Sequence, residues 1–108
     1  MFVVTPEDIT ANFPHPVTFS GKATSDPHTP ITYTWYRKND DKKSLCKDEW
    51  CTVLHVADKT YIGNDNGSLL TILNTEMSDL GTYRCVASNG VSQDEFEVKL
   101  LAPPDLGL

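Results

Sequence analysis

The chain is short of most of what would mark an enzyme, a membrane protein or a nucleic-acid binder. No apolar run approaches the roughly 20 residues needed to span a bilayer. The opening "MFVVTPEDIT" lacks the charged and apolar regions of a signal peptide, so Met1 reads as an added start and any secretion signal would lie outside this stretch. No basic cluster is longer than "DDKK", and the formal charge is -6 at pH 7. Nucleic acid and anionic membrane are therefore excluded as partners, since both need a concentrated basic face. Motifs for catalysis are missing too: there is no G-x-S-x-G and no phosphate-cradling glycine loop, and His15, His28 and His55 fall in separate loops or strand ends. The expectation is no catalytic residue and no cofactor. The Asn/Asp clusters at 39–41 and 64–66 lack a twelve-residue calcium loop with its closing glutamate and read as solvated turns. Apolar residues nowhere recur at helical spacing over three turns.

What is present is a series of short alternating segments divided by turn residues. With 108 residues and 39% hydrophobic content, the chain can build one small core. "VTFSGKA" puts Val17, Phe19, Gly21 and Ala23 on one face, and "ITYTWYRK" puts Tyr33 and Trp35 opposite Thr34 and Tyr36. "NDNGSLLTI" is a turn followed by a strand with Leu70 and Ile72 inward. "TYRCVAS" alternates Tyr83, Cys85 and Ala87 against Thr82, Arg84 and Val86. "SNG" at 88–90 signals a hairpin into "FEVKLL", where Phe96, Val98 and Leu100 share a face. An all-β domain follows. "APPDLGL" cannot extend a sheet interior, because Pro103 and Pro104 carry no amide donor, and 103–108 reads as a linker after a domain at 1–102.

Seven or more short strands, a central Trp and a Tyr two residues before a Cys resemble an immunoglobulin-type domain, a two-sheet Greek-key β-sandwich. "DLGTYRC" matches the family's D-x-G-x-Y-x-C motif, Trp35 stands at the strand C tryptophan, and Leu70 and Ile72 fit its "L-x-I". The resemblance implies a tyrosine corner at Tyr83 and a core of Gly21, Trp35, Leu70, Ile72, Tyr83 and Cys85. "CVASNG" is similar to the I-set. "KATSDPHTPITYTWYRK" is similar to the last immunoglobulin domain of neural adhesion proteins of the neuroglian and contactin kind. That narrower likeness implies an extracellular module of a membrane-anchored parent, with neighbouring immunoglobulin or fibronectin type III domains and no direct membrane contact of its own. Its partner would be a protein, either itself or another cell-surface protein, unless the domain only spaces its neighbours. The rival is an intracellular structural module of the giant muscle-protein type, where the same fold lacks the inter-sheet disulfide.

One departure from the family pattern decides how the cysteines are read. Gly21 stands where the resemblance places the first bridge cysteine, so Cys85 is expected as a buried free thiol acting as a small hydrophobe. A bridge closing that loop would contribute roughly 4 kcal/mol in the chain-entropy account. Cys46 and Cys51 lie in "LCKDEWC" after strand C, where a local disulfide, two unpaired thiols and a metal site with His28 and His55 are the alternatives. Asn66 begins the sequon "NGS", which is equally an ordinary Asn-Gly turn. In the resembled family the acid at Asp79 pairs with a base at the start of strand D, here Lys59; an exposed pair would be worth no more than about 1 kcal/mol. Tyr36, Trp50 and Tyr61 are the exposed aromatic candidates for a contact surface, and their clustering is not legible in one sequence.

Overall fold

In a computed structural model of the chain, residues 2–4, 7–23, 30–39, 49–63 and 67–104 are described, the first three by their backbone only. Among the described residues ten strands form: β1 (Phe2–Val4), β2 (Ile9–Thr10), β3 (Val17–Ser20), β4 (Lys22–Ala23), β5 (Thr32–Lys38), β6 (Trp50–Thr52), β7 (Thr60–Gly63), β8 (Leu69–Ile72), β9 (Gly81–Ser88) and β10 (Gln93–Leu101). The last strand begins three residues before "FEVKLL", because the hairpin pairs Gln93 with Ser88 and keeps pairing to Leu100 with Gly81. Gly90, at φ 87°, supplies the left-handed position that the tight turn needs.

Two sheets face each other. One has five strands in the order β2-β10-β9-β5-β6, and the other runs β3-β8-β7, with β1 and β4 pairing beside it. Among the described strands, only β2 runs parallel to its neighbour: Ile9 and Thr10 lie beside Leu100 and Leu101 of β10. That join is reinforced by Ala11 N–H to Leu101 O at 2.8 Å and by Lys99 N–H to Asp8 Oδ1 at 2.8 Å. Partners such as β5 with β9 and β3 with β8 are distant in sequence, which is the Greek-key signature of a sandwich.

Strict alternation builds the core between the sheets. Val17 and Phe19 of β3, then Gly21 and Ala23, point inward, while Thr18, Ser20 and Lys22 face water. Gly21 keeps the ladder going, its N–H donating to Ser68 O at 3.1 Å. From the other strands come Trp35, Leu70, Ile72, Tyr83, Cys85, Val98 and Leu100, each at most 2% exposed. Phe19 bridges the rings, lying 6.4 Å from Trp35 and 5.7 Å from Tyr83 between centroids. Burying Trp35 would strand its indole N–H, so the N–H donates to Gly67 O at 2.8 Å. Gly67 has φ 95°, and a Cβ there would meet Tyr33 O at 3.0 Å, so glycine suits both the turn and the close approach.

A second knot lies at the corner before β9, where a single 3-10 turn spans Met77–Asp79. Tyr83 donates its phenol O–H to Asp79 O at 2.6 Å, the geometry of a tyrosine corner. The Asp79 carboxylate accepts Glu76 N–H at 2.9 Å and Lys59 Nζ at 2.6 Å. Expected as half of an exposed pair, Asp79 instead has a side chain only 7% exposed, against 34% for Lys59. The turn folds the carboxylate back over its own backbone, which removes it from water. Arg37 closes the other side, its Nη2 donating to Ser78 O and to Leu80 O, with its guanidinium 5.6 Å from the centre of the Tyr83 ring.

Candidate functional site

The outer face of the five-stranded sheet carries a groove. Residues that alternate with the core point outward here: Thr34 and Tyr36 from β5, Arg84, Val86 and Ser88 from β9, Trp50 from β6 and Gln93 from β10. Together they line an open groove of about 270 Å³. Strand register explains the grouping, since Tyr36 lies beside Arg84 and Thr52, and Arg84 lies beside Glu97.

Arg84 is the centre of this face. Its guanidinium sits 4.1 Å from the Trp50 ring centre, with Nη1 3.7 Å from Glu95 and Nη2 3.3 Å from Glu97. Its Nε is buried without a hydrogen-bond partner. The cation lies over the Trp50 ring, an interaction worth about 0.5–1 kcal/mol at an exposed site. The face therefore offers aromatic area together with hydroxyl and amide groups. Such a set can hold another surface by stacking and hydrogen bonding, and it contains no nucleophile with an aligned base.

Of the three aromatic candidates, the structure brings Tyr36 and Trp50 into this groove and leaves Tyr61 elsewhere. Tyr61 is on β7 of the other sheet, 48% exposed, with its ring edge-on to His55 at 5.4 Å. That ring also lies across Gly63, where an added Cβ would come within 2.5 Å of the phenol oxygen. Sequence reasoning put Arg84 on the outward face without giving it a role, and it passed over Arg37. The signal for Arg84 was its outward phase between Tyr83 and Cys85, but its neighbours Trp50, Glu95 and Glu97 are fixed only by strand pairing.

The cysteines divide as their settings dictate. Cys85 is fully buried and free, beside Trp35 across the β5–β9 pair, and burial pushes its thiol up to about 12. It is a packing residue, because the nucleophilic thiolate is suppressed. Cys51, half-buried on β6, is not among the free thiols. Cys46, His28 and Asn66 lie outside the described residues. Among the described residues, no cluster of His, Cys, Asp or Glu could hold a metal ion. Tyr83 is also shifted up to about 12, chiefly by burial, with Arg37 pulling it down and Asp79 pushing it up. No described helix is long and apolar enough to cross a membrane.

Solved structures share this architecture. A titin M4 domain is 18% identical, with 95% of this chain and 94% of that one aligned at a TM-score of 0.75. A three-domain titin structure, I67–I69, is 23% identical at a TM-score of 0.71, and this chain spans 31% of its length. Extracellular domains 3–5 of Drosophila OTK are 20% identical at a TM-score of 0.72, with 95% of this chain and 31% of that one aligned. At these identities the likeness speaks for the fold alone. Residues 1–89 match the immunoglobulin domain as a sequence family. With that match covering most of its length and the tyrosine corner, central tryptophan and two-sheet topology in place, the chain belongs to the immunoglobulin-domain family.

Proposed function

We propose that this is a non-catalytic immunoglobulin module of a multidomain cell-surface protein, serving adhesion or recognition by protein contact through the outer face of the five-stranded sheet. The observation that carries the reading is the groove around Arg84, where the guanidinium lies over the Trp50 ring and Tyr36 lines the same face. Aromatic and arginine side chains are what protein interfaces concentrate. In this reading Cys46 and Cys51 form a local disulfide outside the core. Its support is that Cys51 is not a free thiol while Cys85 is, and such bridges persist in oxidising compartments. Glycosylation at Asn66 and the narrower kinship to the I-set and to neuroglian- and contactin-type domains belong to the same proposal, as do the linker at 103–108 and neighbouring domains in the parent.

Attachment between cells displaying the parent protein tests the contact face. Trp50→Ala and Arg84→Ala are each expected to reduce it at least tenfold, since interface anchors of these types cost about 2 kcal/mol or more when truncated. Unchanged attachment with both variants folded and displayed would overturn the assignment of this face.

A second reading has its own support. Gly21 opposite the family pattern and the free Cys85 suit an intracellular structural module, the setting of titin. Thiol mapping separates the two. Secreted protein with one thiol reactive on denaturation and three after reduction supports the cell-surface reading, whereas three reactive thiols before any reduction supports the intracellular one.

A further inference from the structure

The tip of the β9–β10 hairpin carries a set of contacts that contact through the groove does not explain. The Asn-Gly pair at 89–90 reads in the sequence as a turn, and the bond from Asn89 N–H to Ser92 O at 3.2 Å closes it. The side chains beside Gly90 add three more bonds. Asn89 Oδ1 accepts two backbone donors, Val91 N–H at 2.9 Å and Ser92 N–H at 2.8 Å. Ser88 Oγ accepts Gly90 N–H at 3.1 Å. The ring closed by the bond from Val91 to Asn89 contains both the Asn89 Cγ and the Gly90 nitrogen, so an electrophilic carbon and the amide that follows it are held within one turn. Two N–H donors on one carbonyl oxygen are the arrangement that stabilises an oxyanion when such a carbon is attacked. Nothing shields the place. Gly90 is exposed, a Cβ built on it would meet nothing within 4 Å, and Val91 is 92% exposed.

We propose that Asn89 is a self-modifying site, converted to an acidic residue by the folded hairpin itself. The Gly90 nitrogen gives its proton to Ser88 Oγ, which passes its own to hydroxide, and the nitrogen attacks Asn89 Cγ. Negative charge develops on Oδ1 between the Val91 and Ser92 N–H groups. The bond from Cγ to Nδ2 then breaks, and Nδ2 takes a proton from water, restoring the hydroxide, and leaves as ammonia. A five-membered imide now joins the two residues. Water adds to one of its carbonyl carbons and breaks the bond from that carbon to the Gly90 nitrogen. Opening at Cγ gives aspartate on the original backbone, and opening at the main-chain carbon gives isoaspartate. One water is consumed for one ammonia released, with no oxidation or reduction. Folding accelerates the step because the reacting atoms and the oxyanion donors are in place before it begins. Each conversion adds a negative charge at the tip, next to Ser88 of the groove.

The 108-residue chain is incubated in mildly alkaline buffer, folded in one sample and unfolded by guanidinium in another. Peptide mapping by mass spectrometry then follows the gain of about one dalton on the peptide carrying Asn89, aspartate and isoaspartate counted together. Conversion at Asn89 is expected to be about tenfold faster or more in the folded sample, the least that preorganised oxyanion donors contribute. In Ser88→Ala the folded rate is expected to drop about tenfold and the unfolded rate to stay as it was. Conversion in the folded wild-type chain no faster than in the unfolded one would overturn the site. A folded Ser88→Ala chain that converts at the wild-type rate would overturn the proton path through Ser88.

Discussion

The centre of the sandwich and the corner before β9 are both buried, yet they hold the molecule together in opposite ways. At the centre, Trp35, Phe19, Leu70 and Cys85 meet with a single hydrogen bond from the indole, and cohesion is packing. At the corner, Tyr83, Asp79 and Glu76 are joined by hydrogen bonds around one turn, and Lys59 and Arg37 reach it from elsewhere in the chain. The family's covalent tie belongs to the first region, where this chain has glycine and a free thiol. The contrast teaches that loss of a bridge can be borne where contacts are many and non-directional. The corner has no such tolerance, because each buried polar atom there depends on a named partner.

Trp35→Ala breaks the comparison most forcefully. It empties the middle of a core that already lacks a bridge, and an equilibrium denaturation series is expected to show a loss of roughly 3–5 kcal/mol. A loss below about 1 kcal/mol would mean the centre is not held by packing around this ring.

Gly21→Cys acts in the other direction. Under oxidising conditions a link to Cys85 is expected, raising stability by up to roughly 4 kcal/mol, less if the present core has closed around the glycine. Peptide mapping of the unreduced protein checks the link. Both thiols remaining alkylatable would show that positions 21 and 85 do not face each other.

Asp79→Ala tests the corner. It leaves Glu76 N–H without its acceptor and Lys59 with only Asn74 O and Glu76 for partners, and the expected loss is about 1–3 kcal/mol. The ion-pair share of that is small, since Lys59 is a third exposed and screened by water.

Alkali tests both regions at once, with the smallest effect at its onset. The Cys85 thiol and the Tyr83 phenol ordinarily titrate at 9.0 and 10.0, and in the folded protein both are raised to about 12. An acid held neutral by folding contributes stability that is complete below its unfolded value and is lost as pH rises toward its folded one. Stability should therefore begin to fall above pH 9 through Cys85, by about 1 kcal/mol over the first unit, and steepen above pH 10 through Tyr83. Cys85→Ala should remove the first step and leave the second. A stability curve flat from pH 9 to pH 11 would contradict the burial of both groups.

The packed centre was legible in the sequence because alternation with period two states which side chains share a face. That was enough to place Val17, Phe19, Trp35, Leu70, Ile72, Tyr83 and Cys85 inside. The tyrosine corner was legible from its motif. What escaped was everything set by register between distant strands. Arg84 reads as one more outward charge until β6 brings Trp50 beside it and β10 brings Glu95 and Glu97. Burial of Asp79 escaped too, since no local pattern says that a 3-10 turn will fold its carboxylate inward. Tyr61 looked equivalent to Tyr36 and Trp50 because exposure, unlike phase along a strand, does not say on which sheet a residue stands.

The parallel join of β2 to β10 governs how the domain meets mechanical tension. A pull that draws the chain before β2 and the chain after β10 apart drags these neighbouring strands past each other along their length. The bonds from Ala11 to Leu101 and from Lys99 to Asp8 are then loaded in shear, together, and do not open one by one like a zipper. A force of that direction loads this short seam directly, apart from the aromatic centre.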